Sequence, residues 1–360
     1  MLPFVSAMIL LASPCLAQDT PPSILLFDSG KEGYKRYRIP ALITTKNGRV
    51  LAFSEGRKGG GGLTGDIDIV LKRSSDSGKT WTPLEVALSG KGHTLGNPCP
   101  VVDRNDGTIW LAVTRSHGQD TEDAIVKRTS REATRVLVTS SKDDGKTWAP
   151  LRDISDTCRK PNWTWYGTGP GIGIQLKSGR LLLPCYHAEA ITQIYRSHTI
   201  YSDDHGKTWQ LGESVGEHCT ECAVAERSNG EVVLLSRTIK GKQEKTAAFS
   251  KDGGKTWADI KTDANLYDPS CQASLLRLDD TKSRWLFCHP AGPGRRDLTV
   301  RTSDDEGKTW TNAKLLRKGD SQYSSLAKMP DGSLGCLYDC WVDGNYRMFF
   351  TRFSLEWLSN

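Results

Sequence analysis

SSDSGKTW, Ser74 to Trp81, returns as SKDDGKTW (Ser141 to Trp148), SDDHGKTW (Ser202 to Trp209), SKDGGKTW (Ser250 to Trp257) and SDDEGKTW (Ser303 to Trp310). Five copies of Ser-x-Asp-x-Gly-Lys-Thr-Trp in 360 residues mark a repeat architecture. The tryptophans lie 67, 61, 48 and 53 residues apart. Each interval holds about four short strands with their turns, the content of a propeller blade and not of a helical repeat. Within the phrase, Asp is expected to bond backbone amides two residues on, and Gly to take the positive φ that other residues resist. The Trp is expected to bury its ring between neighbouring units. Each loop has too few acidic ligands for calcium, so the phrase reads as structural.

Outward from the repeats, RVLAFSEG, TIWLAVT, RVLVTSS, GRLLLPCYH, EVVLLSR and SLLRL alternate apolar with polar residues, the pattern of half-buried strands. KNGR, KSGR, SNGE and PDGS supply turns just before many of them, and no long helical period appears. The expectation is an all-β, six-bladed propeller of four-stranded antiparallel sheets, with six units of about 57 residues filling a single domain from 18 to 360. The closing segment YRMFFTRFSLEW is expected to pair with the first blade, because closing the ring removes exposed sheet edges.

The apolar run Leu2 to Leu16, with Pro14 near its end, is too short to span a bilayer comfortably. Residues 1–17 read as a secretory signal cleaved after Ala17, with a lipid-anchored Cys15 as the alternative. The mature chain is then soluble, secreted or periplasmic, without a membrane span, and a monomer. The net charge of +6 comes from basic residues spread along the chain. That spread does not argue for nucleic acid, although a modest positive field helps collect acidic sugars. Of ten cysteines, nine lie beyond the signal, so at least one is unpaired in a monomer. Cys219 and Cys222 form a CxxC, open to reading as a metal knuckle, a redox pair or two small buried residues.

At Tyr37 to Pro40 the chain reads YRIP. Together with the five repeats, GNPCPVVD (Gly96 to Asp103), WTWYGTGPG (Trp163 to Gly171), ECAVAE (Glu221 to Glu226) and YSSL (Tyr323 to Leu326), it resembles the bacterial and animal sialidases, or neuraminidases. The resemblance runs from about Phe27 to the end of the chain. It implies retaining hydrolysis of terminal α-ketosides of sialic acid or a related 2-keto acid sugar, sialylated glycans as partners, and no metal or organic cofactor. Holding a sugar carboxylate calls for permanent cations with planar forks, which arginine supplies. The resemblance puts Arg38, Arg237 and Arg295 in that role, with Arg296 as the fallback for the third. A carboxylate nucleophile would repel the substrate's own carboxylate, and sialidases use a tyrosine instead. The matching residue is Tyr323, with Glu221 as its base. Arg57 is placed at the substrate carboxylate or the 4-hydroxyl, and Asn97, Glu122, Trp165 and Tyr186 on the pocket wall.

One position departs from the family. The acid that protonates the leaving oxygen is expected about six residues after Arg57, and that position is Leu63. Three readings stay open: Asp66 takes over from the loop that includes Gly59 to Gly62, the enzyme works without a built-in acid, or catalysis is impaired or lost and the protein is a carbohydrate-binding propeller.

Overall fold

The structure is a computed structural model and describes residues 20–59, 62–241, 243–278 and 283–359. The signal-peptide expectation lies outside the described residues. Strands dominate, as the alternating pattern predicts, and they hydrogen-bond into successive antiparallel meanders around one axis, a β-propeller. Three sheets have four strands each. One is built on Cys219–Glu226, Val232–Thr238, Glu244–Ser250 and Ala258–Tyr267, and another on Ser274–Arg277, Trp285–Gly292, Arg296–Ser303 and Asn312–Asp320. The third runs Ser23–Asp28, Asn345–Phe353, Leu334–Val342, Ser324–Lys328. A five-stranded sheet is centred on Trp163–Thr168, Leu181–Glu189 and Tyr195–Ser202.

Four blades therefore stand as separate sheets, not the six expected. The eight strands from Arg36–Thr44 to Arg152–Asp153 form one sheet, because Ile67 and Thr94 pair in parallel and stitch two meanders together. The backbone N–H of Ile67 donates to His93 O at 3.2 Å at this junction. Ring closure is also specific: Asn345–Phe353 pairs antiparallel with Ser23–Asp28, so the first and last described strands share one sheet.

The repeated phrase fastens each meander. In the first copy Gly78 N and Asp76 Oδ1 both bond the Ser74 hydroxyl, at 2.8 Å each. Asp76 then accepts from Thr80 N at 2.9 Å and Thr80 Oγ1 at 2.6 Å, four residues on and not the two expected. The same Asp-to-Thr bonds recur at Asp143, Asp204, Asp252 and Asp305. Gly78 has φ +81°, and a Cβ there would lie 2.5 Å from the Phe350 ring, so both conformation and space demand glycine. Trp81 packs edge-on to Phe350 at 5.0 Å, Trp148 to Phe53 at 6.0 Å and Trp209 to Trp110 at 6.2 Å, each on the preceding meander. The conspicuous aspartates are thus consumed in turns.

All nine described cysteines are buried and free, including Cys219 and Cys222. Among the described residues no helix is long and apolar enough to cross a membrane.

Three buried histidines set an acid limit. His187 and His198 face each other Nδ1 to Nδ1 at 3.0 Å, the His187 ring stacks on Trp163 at 3.4 Å, and His289 Nδ1 faces Tyr267 O at 3.1 Å. Burial pushes His187 and His289 down to about 3 and His198 well below its ordinary value. Each is neutral when folded, whereas an unfolded histidine charges below about pH 6.5. Below that pH and down to the folded values the unfolded chain binds more protons, so stability falls on acidification. The melting temperature is expected to drop by several degrees from pH 7 to pH 5, less so in His187→Gln; a melting temperature that stays flat over that range refutes the assignment.

Candidate active site

The inner strands of successive meanders supply Arg38, Asn97, Trp165 and Glu221 where those strands are irregular, and Arg237 and Tyr186 come from the next strands out. Register shifts fall between Arg38 and Ala41, Gly96 and Cys99, Trp163 and Tyr166, and Cys219 and Cys222. Each is a bulge that re-aims a side chain out of strict alternation. Ile39 and Asn97 take φ of +65° and +52°, and each precedes a proline that cannot donate to a ladder. The result is a cavity of about 390 Å³ lined by Arg38, Asn97, Glu122, Trp165, Tyr186, Glu221, Arg237, Arg295 and Tyr323. A second cavity of about 430 Å³, among Leu42, Val101, Ile174 and Leu326, holds neither a tyrosine nor any of the three matched arginines.

At the floor, the Tyr323 hydroxyl donates to Glu221 Oε1 in a short hydrogen bond, and Arg237 Nη1 donates to Glu221 Oε2 at 2.7 Å and to the Tyr323 oxygen at 3.1 Å. Burial, and then the Glu221 charge, push the Tyr323 phenol well above its ordinary range, while Arg237 and Arg38 pull it back. A phenol in that state is protonated near neutrality and reacts only as a base removes its proton. Glu221 is in place to do so.

Arg38 and Arg295 lie over the Tyr323 ring, their guanidinium carbons 5.2 and 5.9 Å from its centre. Arg295 is pinned by Gln322 Oε1 at 2.9 Å and Ser270 O at 2.5 Å, and Arg237 Nε donates to Ser270 Oγ at 3.2 Å. Arg296, the fallback, is exposed and does not line the cavity. Burial alone would weaken the charge on Arg38, but Asp339 overrides it and holds the guanidinium above its ordinary pKa. The opposite wall is polar. Glu122, on the short helix Glu122–Val126, accepts from the Tyr195 hydroxyl at 2.7 Å, and burial raises its pKa. Asn97 and Tyr186 lie within 3.4 Å of each other.

Two expected residues are elsewhere. Arg57 is not in the lining; it donates to Glu55 Oε2 at 2.9 and 2.6 Å and to Gly62 O at 3.0 Å, bracing the loop from behind. Asp66 also lies outside the lining, with Lys58 Nζ at 3.2 Å. Asp68, its neighbour, is buried between Tyr34 OH and Gly90 N, both at 2.7 Å. Leu63, by contrast, does line the cavity.

The sequence reading missed two carboxylates. Glu55 lines the cavity and accepts from Asn97 N at 2.8 Å, fixing that bulge. Asp339 accepts from Arg38 Nε and, at 2.7 Å, from Tyr323 N, tying the first arginine to the tyrosine's backbone. The prolines of YRIP and GNPCP, sitting inside apolar runs, signalled the bulges. Nothing local signals Asp339, because its partners lie 301 and 16 residues away.

The geometry defines a class: a repeat propeller whose axial pocket joins a tyrosine–glutamate pair to a cluster of arginines. Residues 48–336 match the BNR repeat-like domain family. The chain is 32% identical to sialidase-2 of Mus musculus over 91% of this chain and 94% of that protein, and 31% identical to an exo-alpha-sialidase of Aspergillus fumigatus over 91% and 86%. A Micromonospora viridifaciens sialidase is 32% identical over 92% of this chain, which spans only 53% of that longer protein. A Hadza microbial sialidase, Hz136, superposes with a TM-score of 0.82 at 29% identity over 92% of this chain and 68% of that one. The chain belongs to the sialidase family, a family of glycoside hydrolases.

Proposed function

We propose that the protein is an exo-α-sialidase that hydrolyses terminal α-ketosides of sialic acid, or of a related 2-keto acid sugar, with retention. The observation that carries this reading is the Tyr323–Glu221–Arg237 cluster, in which a buried phenol, its base and a cation share direct hydrogen bonds. Tyr323 O forms a bond to C2 as the bond from C2 to the leaving oxygen breaks; Glu221 takes the phenolic proton, and the leaving oxygen takes a proton from solvent water. Water then attacks C2 and breaks the tyrosyl bond; Glu221 returns the phenolic proton to Tyr323 O, and the proton of the attacking water passes to solvent. Arg38, Arg237 and Arg295 hold the substrate carboxylate, and Asn97, Glu122, Trp165 and Tyr186 face the rest of the sugar. Arg57 acts through Glu55, and Asp66 takes no part. The eight-stranded sheet counts as two joined blades, giving a ring of six, and the protein acts outside the cytoplasm as a monomer.

One observation favours a second reading. The presence of Leu63 in the lining, where the carboxylates among the described lining residues are all engaged, favours a carbohydrate-binding propeller with impaired catalysis. Proton NMR during digestion of an aryl α-sialoside separates the two. The first reading gives free sialic acid whose first-formed anomer is α, whereas binding without cleavage, or a β anomer first, rejects it.

A further inference from the structure

The mouth of the cavity differs in chemistry from its floor. Among the described lining residues two side chains are exposed, Leu63 at 48% and Ile239 at 36%, and both are aliphatic. They occupy equivalent positions, Leu63 on the loop between Val50–Arg57 and Ile67–Ser74, Ile239 on the loop between Val232–Thr238 and Glu244–Ser250. Both loops are anchored: Arg57 holds Gly62 O at 3.0 Å, next to Leu63, and Ile239 N donates to His218 O at 2.9 Å. The three carboxylates of the lining are engaged below, Glu55 with Arg57, Glu122 with Tyr195 and Glu221 with Arg237.

An exo-acting site buries the terminal sugar and leaves the rest of the substrate projecting through the mouth. Whatever leaves with the glycosidic oxygen therefore passes the exposed rim on which these two side chains stand. A hydroxyl-rich leaving sugar would find no hydrogen-bond partner on them, and each hydroxyl turned toward an aliphatic wall gives up a bond to water. An aryl or alkyl group gives up nothing and gains apolar contact. Resting on the sialidase reading, we propose that Leu63 and Ile239 form an apolar aglycone subsite that selects ketosides with an aryl leaving group over those whose leaving group is a further sugar. This choice agrees with the missing acid, because a phenolate departs with little help from a proton donor, whereas a sugar alkoxide does not.

The test uses binding, so that leaving-group chemistry does not enter. Three uncleavable α-thioketosides of sialic acid, S-methyl, S-phenyl and S-galactosyl, are titrated calorimetrically into the full chain and into the double variant Leu63→Ser, Ile239→Ser. Both substituted side chains are exposed, and circular dichroism and melting confirm that the variant is folded. The phenyl compound is expected to bind the wild type about tenfold more tightly than the other two, the size of a modest apolar contact. In the double variant the three affinities converge. Equal affinities in the wild type, or a phenyl preference that survives in the variant, overturn the subsite. Failure of all three to bind overturns the sialidase reading itself, and this inference with it.

Discussion

Replacement of Tyr323 by phenylalanine is expected to lower kcat on an aryl sialoside by about 10³-fold or more, while free sialic acid still binds. The phenylalanine ring keeps the apolar volume of a side chain that is 6% exposed and stays beneath Arg38 and Arg295. The substitution removes one oxygen, which carries the bonds to Glu221 and Arg237. Glu221 is not left as an uncompensated buried charge, since Arg237 still donates to it at 2.7 Å. The fold should therefore survive, and the loss should fall on kcat and not on affinity. Steady-state kinetics with calorimetry of sialic acid make the check, and turnover within tenfold of wild type would end the nucleophile assignment.

Arg237→Met should be nearly as damaging, for a different reason. Arg237 sits between the base and the nucleophile, and its Nε is aligned by Ser270. Without it, Glu221 and the phenol lose the cation that hydrogen-bonds to both, and the substrate carboxylate loses one of its forks. Deleting one partner of a buried pair typically costs about 3–5 kcal/mol of stability, so folding is checked by circular dichroism; the loss of a preorganised donor at the reacting groups is expected to lower kcat/KM on the order of 10²–10³-fold. KM should rise together with the fall in kcat, a pattern distinct from that of Tyr323→Phe. Arg237→Lys restores charge but not the planar fork and should recover only part of the loss. A kcat/KM in Arg237→Met within tenfold of wild type would remove this residue from the site.

Much of the site was legible because its residues sit in short stretches that each occur once. Arg38 in YRIP, Glu221 in ECAVAE and Tyr323 in YSSL lie on or beside inner strands, and the structure brings all three to one cavity. Asp66 illustrates the limit. A count along a loop gives reach but not direction, and Lys58 at 3.2 Å lies beside the Asp66 carboxylate, away from the cavity lining. Arg57 shows the same limit in reverse: it has the right chemistry to meet a carboxylate, but the nearer one is the protein's own Glu55.

The repeat, the strand content and the positions of the turns were legible in the sequence, because they rest on contacts within about ten residues: Ser74 with Gly78, Asp76 with Thr80, and the alternation along each strand. The packed ring alone settles how the meanders join, in what register the closing strand pairs and which carboxylates hold the arginines. The pairing of Ile67 with Thr94, of Ser23 with Thr351, and of Arg38 with Asp339 each depends on where separate segments arrive in space. A local pattern carries no record of that arrival, since burial and partner choice are properties of the packed ring and not of the segment.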